Sequence, residues 1–192
     1  MKQAVEHSPE EKSGQFQIHY RELNHADSAE YRRIRLECLQ KYPDFFGSTF
    51  DEEFHAASVR LAQVPKENSK NSFVCGAFNA EERLVGICGF TAEQRLKTQH
   101  RGEIQQLFVD PLYLRQGIGK KLLTLSIQKA FNTTQIEQII LGIVSTNEIA
   151  IQLYKLFGFI EYGRLANYFK TGGSYFTQVF FVLHKSKQKQ VF

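Results

Sequence analysis

Residues 107–123 read LFVDPLYLRQGIGKKLL, and together with RGEIQQ at 101–106 they decide the fold. The run from Ile104 to Val109 is rich in β-formers, and the Asp110-Pro111 pair stops it because proline has no N–H to give to a ladder. Gly117 and Gly119 then open a helix. Its apolar residues Ile118, Leu122 and Leu125, with Leu123, Ile127, Ala130 and Phe131, make a wide stripe at helical spacing, so the helix is expected to lie on a sheet. A strand, a turn and a glycine-opened helix bring backbone N–H groups and the positive end of a helix dipole to one place, with two side chains removed, where an anion can sit. A phosphate-bearing ligand is implied. Taken alone, the glycine pair fits equally a helix start with no ligand. A dinucleotide fingerprint fails because Leu122 stands where its third glycine belongs, and a Walker loop fails because no Gly-Lys-Ser/Thr follows.

On the N-terminal side, Phe73 to Phe78 and Leu84 to Phe90 are two β-rich runs joined by Asn79, Ala80, Glu81 and Glu82, which reads as an antiparallel hairpin. Before them Phe16, Ile18 and Tyr20 alternate with polar residues as a short strand does. Asp27 or Ser28 can cap a helix carrying Tyr31, Ile34, Leu36, Cys38 and Leu39, which ends before Pro43. A second helix is expected from Ser48 or Thr49, with Glu52 and Glu53 in an acidic first turn, to Pro65. Towards the C-terminus the pattern predicts a strand at 139–144, a helix at 147–157, a strand at 159–169 and a last strand at 175–183 after a Gly172-Gly173 turn. This order predicts an α/β (α+β) fold, a mixed sheet with helices on both faces.

At 192 residues and about 150 per domain, one domain is expected. It is assigned to 15–184, between a flexible leader at 1–14 and a basic tail at 185–192 that carries Lys185, Lys187 and Lys189. With 42% hydrophobic and 13% aromatic residues the chain can bury a core, which excludes global disorder. Twenty-four Lys and Arg against 20 Asp and Glu leave +4 with the signs interspersed, which argues against a nucleic-acid partner. Cys38, Cys75 and Cys88 form no C-x-x-C pair and sit at no zinc spacing, so neither a metal nor a disulfide framework is indicated. No window has the length and hydrophobicity of a signal peptide or a membrane span, and a cytoplasmic monomer or homodimer is expected.

Two stretches, LFVDPLYLRQGIGKKLL at 107–123 and NEIAIQLYKLFGFIEYG at 147–163, together with the element order, resemble the GCN5-related N-acetyltransferase (GNAT) family. That family transfers an acetyl group from acetyl-coenzyme A to an amine, and the resemblance implies its mixed, mostly antiparallel sheet of about seven strands. The family's phosphate loop, [QR]-x-x-G-x-[GA], falls on Leu114, Arg115, Gln116, Gly117, Ile118 and Gly119. Leu114 departs from the pattern, so the side-chain contact at that position is lost. The backbone donors remain, with Arg115, Gln116 or Lys120 available to compensate.

The resemblance further implies that the pantetheine arm pairs with the main chain of Leu107, Phe108 and Val109, in a gap opened by the strand at 139–144. An N–H there can polarise the thioester carbonyl. Attack needs a neutral amine, yet an alkyl amine has a pKa near ~10.4, so a base is required. Glu103 is the candidate, because in similar family members a glutamate at this strand position serves as general base; the same residue also reads as a solvated charge beside His100 and Arg101. Tyr154 matches the family's tyrosine acid within N-x-x-A-x-x-L-Y-x-x-x-G-F, although such a tyrosine also packs naturally on Leu153 and Phe157. Asn147 matches the asparagine that contacts the pantetheine arm and reads independently as a helix N-cap.

For the amine acceptor, the resemblance points to the link at 42–48 and the turn at 167–174. Phe45, Phe46, Tyr168 and Tyr175 would make that wall aromatic, suited to an apolar amine or a peptide N-terminus. Cys75 and Cys88 lie in the hairpin, away from the expected cleft, so an acetyl-cysteine route has little support. The leading reading is direct acetyl transfer in a ternary complex. The alternative is a non-catalytic acyl-coenzyme A sensor or partner-binding module, which would need the glycines but neither an acid nor a base.

Overall fold

The computed structural model describes residues 17–56, 72–133 and 135–186. Strands β1 (His19–Glu22), β2 (Ser72–Phe78), β3 (Leu84–Ala92), β4 (Arg101–Val109), β5 (Gln138–Val144), β6 (Ile160–Thr171) and β7 (Ser174–His184) form one seven-stranded sheet in the order β1-β2-β3-β4-β5-β7-β6. Every neighbouring pair is antiparallel except β4 and β5. The expected mixed sheet, mostly antiparallel, is therefore the one observed.

Helices α1 (Ser28–Lys41) and α2 (Phe50–His55) lie on one face, and α3 (Ile118–Asn132) and α4 (Glu148–Leu156) on the other. Tyr31, Ile34, Cys38 and Leu39 of α1 pack on Val74, Phe78, Leu84, Ile87 and Phe108. The stripe read on α3 is buried as expected: Ile118, Leu122, Leu123, Ile127, Ala130 and Phe131 meet Phe73, Cys75, Val85, Cys88 and Phe90 in the larger core. Tyr154 of α4 joins the same core.

Several boundaries differ from the sequence reading. The first strand sits at His19–Glu22, three residues later than the alternation suggests, and Phe16 lies outside the described residues. Asp27 precedes α1 but makes no side-chain cap bond, because Arg21 grips both its oxygens at 2.7 Å. The second helix does begin after Thr49, whose side chain forms a reciprocal capping box with Glu52. It ends at His55; Pro65 and the leader at 1–14 lie outside the described residues, as does 187–192 of the tail. The last hairpin closes tightly at Gly172 and Gly173, both with positive φ (55° and 84°), which only glycine adopts cheaply and which suits the twist of the long strands β6 and β7.

Candidate active site

Pairing between β4 and β5 is short. Arg101, Gly102 and Glu103 face Gln138, Ile139 and Ile140, and past that point the two strands separate, although β4 runs on to Val109 and β5 to Val144. The β4 edge turned towards β5 therefore lacks that ladder over 104–109, while its other edge stays paired with β3. An extended molecule can use those main-chain groups as a strand would.

The fork contains a second irregularity. Gly89 pairs with Gln105 and Ile87 with Phe108, so Cys88 alone faces two residues of β4, Gln106 and Leu107. This is a β-bulge. Gln106 takes φ 59°, in the left-handed region. The bulge resets the alternation of β4: Ile104, Leu107 and Val109 meet the core under α3, whereas Glu103, Gln105 and Gln106 line a cavity on the α1–α2 side and Phe108 packs among the α1 residues.

That cavity has a volume of about 670 Å³. Glu103 lines it, with Phe45, Phe46, Tyr168 and Phe169 as an aromatic wall and Gly142, Ile143 and Val144 of β5 on the far side of the fork. The link at 42–48 and the β6–β7 hairpin thus come together as expected. Tyr175 does not join them; it is exposed, with Lys170 Nζ 5.3 Å from its ring. The reason is that β6 continues through Thr171, which carries Tyr175 out to the hairpin tip.

Glu103 Oε2 accepts a 2.9 Å hydrogen bond from Gln105 Nε2. Burial pushes the Glu103 carboxyl above the ordinary carboxylate range, and the nearby charge of Glu93 adds to the rise, against the downward pull of that hydrogen bond. A carboxylate held in this way is a better base than an exposed one. Its surroundings are not those of a solvated strand end.

Tyr154 lies on the other side of the sheet from Glu103 and does not line the cavity. It is 6% exposed, stands edge-on to Phe159 at 5.6 Å between ring centres, and feels the thiol of Cys88. Burial raises its pKa, so its phenol keeps a proton to donate. Cys88 is thus close to a candidate residue rather than remote, but burial holds its thiol up at about 12 and that of Cys38 at about 12, and raises that of Cys75. All three remain neutral thiols near pH 7, poor nucleophiles.

At the start of α3 the loop residues Arg115 and Gly117 are both left-handed, with φ 63° and 76°. Nothing stands within 4 Å of a Cβ placed on Gly117, and the position faces open space. The first helical bond runs from Lys121 N to Gly117 O, so the N–H groups of Ile118, Gly119 and Lys120 have no partner within the helix. This is a cradle for an anion built from main chain. Leu114, Arg115, Gln116 and Lys120 are half-exposed or exposed beside it. The Ile118 side chain is buried against Gly86 and Leu122, leaving its backbone for a ligand. Asn147 is the N-cap of α4, its Oδ1 accepting from Ala150 N at 3.2 Å.

Sequence reading missed three groups. Arg35 and Glu53, 18 positions apart, form a buried ion pair (Nη2 to Oε1 2.8 Å) that ties α1 to α2 and lines the cavity. Glu53 read as an ordinary first-turn acid, and no local signal distinguishes it from Glu52. Gln106 and Gln178 also line the cavity; the Gln178 side chain lies over Gly142, where any Cβ would collide with its amide.

A family model described as the acetyltransferase (GNAT) family matches residues 24–159. Human N-alpha-acetyltransferase 30 is 33% identical over 152 residues, 79% of this chain and 41% of that protein. The chain thus spans less than half the length of that relative. Among solved structures, a GNAT-family acetyltransferase from Streptococcus pneumoniae superposes with a TM-score of 0.77 at 22% identity, covering 88% of this chain and 99% of that one. A structure from Salmonella typhimurium, described with its cofactor acetyl-CoA, has a TM-score of 0.68 at 18% identity over 88% of this chain and 94% of its own.

Proposed function

The chain belongs to the acetyltransferase (GNAT) family, and from that premise we propose that it transfers an acetyl group from acetyl-coenzyme A to a primary amine by direct attack in a ternary complex. The observation that carries this reading is the parting of β4 from β5 immediately after Glu103, which leaves an unpaired strand edge beside a half-buried carboxylate in a cavity. The human relative is named for action on α-amines, and a cavity with Phe45, Phe46, Tyr168 and Phe169 on one wall and Glu103 beside them suits the N-terminus of a peptide as acceptor.

The residues present fit the donor. Leu107, Phe108 and Val109 offer main chain along the fork to the pantetheine arm, and the N–H groups at Gly117, Ile118, Gly119 and Lys120 offer donors to its pyrophosphate, with Arg115 and Gln116 alongside. Leu114 contributes no polar group. The Asn147 amide stands at the start of α4, where its nitrogen is assigned to the pantetheine while its oxygen caps the helix. Bound acetyl-coenzyme A would supply an activated thioester, and coenzyme A would leave as the thiol once the acetyl group has passed to the amine. Glu103 is assigned the role of base, directly or through water, because its raised pKa suits proton removal from an ammonium. Tyr154 is assigned the role of proton donor, supported by its retained phenolic proton and by its place in the core on the α3 face of the sheet, the face that also carries the side chains of Leu107 and Val109. An acetyl-cysteine stage has no support from the three buried thiols.

A thermal-shift titration tests donor binding. A ligand that binds only the folded chain adds about 2.7 kcal/mol at 100 times its Kd. Acetyl-coenzyme A is expected to raise Tm while NADH does not; a shift with NADH alone would reject the reading.

A further inference from the structure

Gln106 occupies a left-handed conformation (φ 59°) in the central strand of the sheet. At the first position of such a bulge glycine is the ordinary residue, because a Cβ makes that conformation costly. Something must hold a glutamine there. Its Oε1 accepts a 2.5 Å hydrogen bond from the hydroxyl of Tyr31, a residue of α1 that is 1% exposed. Burial pushes the Tyr31 phenol up to about 12, so it remains a donor throughout the physiological range.

Next in the chain are Leu107, Phe108 and Val109, whose main chain borders the fork. Loss of the bulge would return β4 to plain alternation and turn their N–H and C=O groups elsewhere. We propose that Tyr31 is a positioning residue: through Gln106 it holds the left-handed bulge of β4, and thereby keeps the following main chain aimed into the fork that receives acyl-coenzyme A. The proposal rests on the functional reading above, since it is for that ligand that the edge is held. Binding then requires the bulged state, and affinity falls in proportion to its population.

The test is a calorimetric titration of acetyl-coenzyme A into the full chain and its variants. Tyr31→Phe keeps the ring and removes one hydroxyl from a buried bond, and is expected to weaken binding roughly five- to tenfold. The same substitution in the Gln106→Gly background is expected to cost less than about twofold, because glycine holds the conformation without a clamp. Gln106→Ala and Gln106→Gly remove the same amide but differ in tolerance of positive φ, so the alanine variant is expected to bind more weakly than the glycine one. That comparison decides the matter even if Tyr31→Phe fails to fold. An equal penalty of Tyr31→Phe in both backgrounds, or equal affinity of the alanine and glycine variants, would overturn the clamp while leaving the functional reading intact. Failure of the unaltered chain to bind acetyl-coenzyme A would overturn both.

Discussion

Glu103 and Ile140 are the last paired residues of β4 and β5, and the fork between the two strands opens directly beyond them. One residue therefore marks the mouth of the cleft and lines the cavity beside it. If it removes the amine proton, Glu103→Gln is expected to lower kcat/KM by roughly 10²- to 10⁴-fold with little change in acetyl-coenzyme A affinity. Raising the pH should recover part of the rate by supplying neutral amine. Wild-type turnover in this variant would assign catalysis to positioning alone.

The same residue links activity to stability. Burial raises the folded-state pKa of Glu103 above its unfolded value. Between those two values the folded chain binds more protons than the unfolded one, so this group's contribution falls as pH rises through the window and stays lost above it. Glu103→Gln removes a half-buried charge and should leave stability at pH 7 equal or greater, as read by urea denaturation. A marked loss of stability would mean that the ionised carboxylate helps hold the strands.

Tyr154→Phe removes one oxygen from a ring that packs on Phe159. In this variant kcat is expected to fall, with KM for the donor and the circular dichroism spectrum close to unchanged. Because burial raises the phenol's pKa, this group should add no alkaline limb to the pH profile near neutrality. A fall confined to KM would show a binding role instead.

The Arg35–Glu53 pair, with side chains 5% and 10% exposed, joins the two helices that wall the cavity. Glu53→Ala leaves a buried guanidinium without its partner and should cost about 3–5 kcal/mol in urea denaturation. The combined Arg35→Met, Glu53→Leu variant should recover most of that loss. A cost of under about 1 kcal/mol for the single substitution would show the pair to be solvated.

Gly119→Glu places a carboxylate among the N–H groups at the start of α3. A Cβ there meets only Val109 Cγ2 at 3.6 Å, an ordinary contact, so the fold should persist while the thermal shift with acetyl-coenzyme A disappears. An unchanged shift would make the loop structural only.

How far the sequence announces this architecture depends on the range of each signal. The α3 stripe, the strand before it and the glycine cradle are local, and they lie where periodicity and turn residues place them. The bulge at Gln106 has no local sign, since glutamine carries no preference for positive φ and its hydrogen bond from Tyr31 comes from 75 positions away. Arg35 and Glu53 are legible only as a charged residue on each of two helices until the helices meet. The second face of the site is not legible in the sequence because tertiary contacts alone create it, and Tyr175 lies at the hairpin tip because β6 runs two residues further than its pattern indicates.

Acetyl transfer to an amine releases coenzyme A as a thiol, and that release can be followed directly. The assay should combine acetyl-coenzyme A with free-N-terminus peptides, the same peptides blocked at the N-terminus, polyamines, aminoglycosides and amino acids, with mass spectrometry of the products. Thiol release well above the rate of donor hydrolysis is expected with at least one amine, with free peptides exceeding their blocked forms and a product heavier by one acetyl group. Saturable binding of acetyl-coenzyme A with no release over the whole panel would contradict the proposed transfer and leave a binding module in its place.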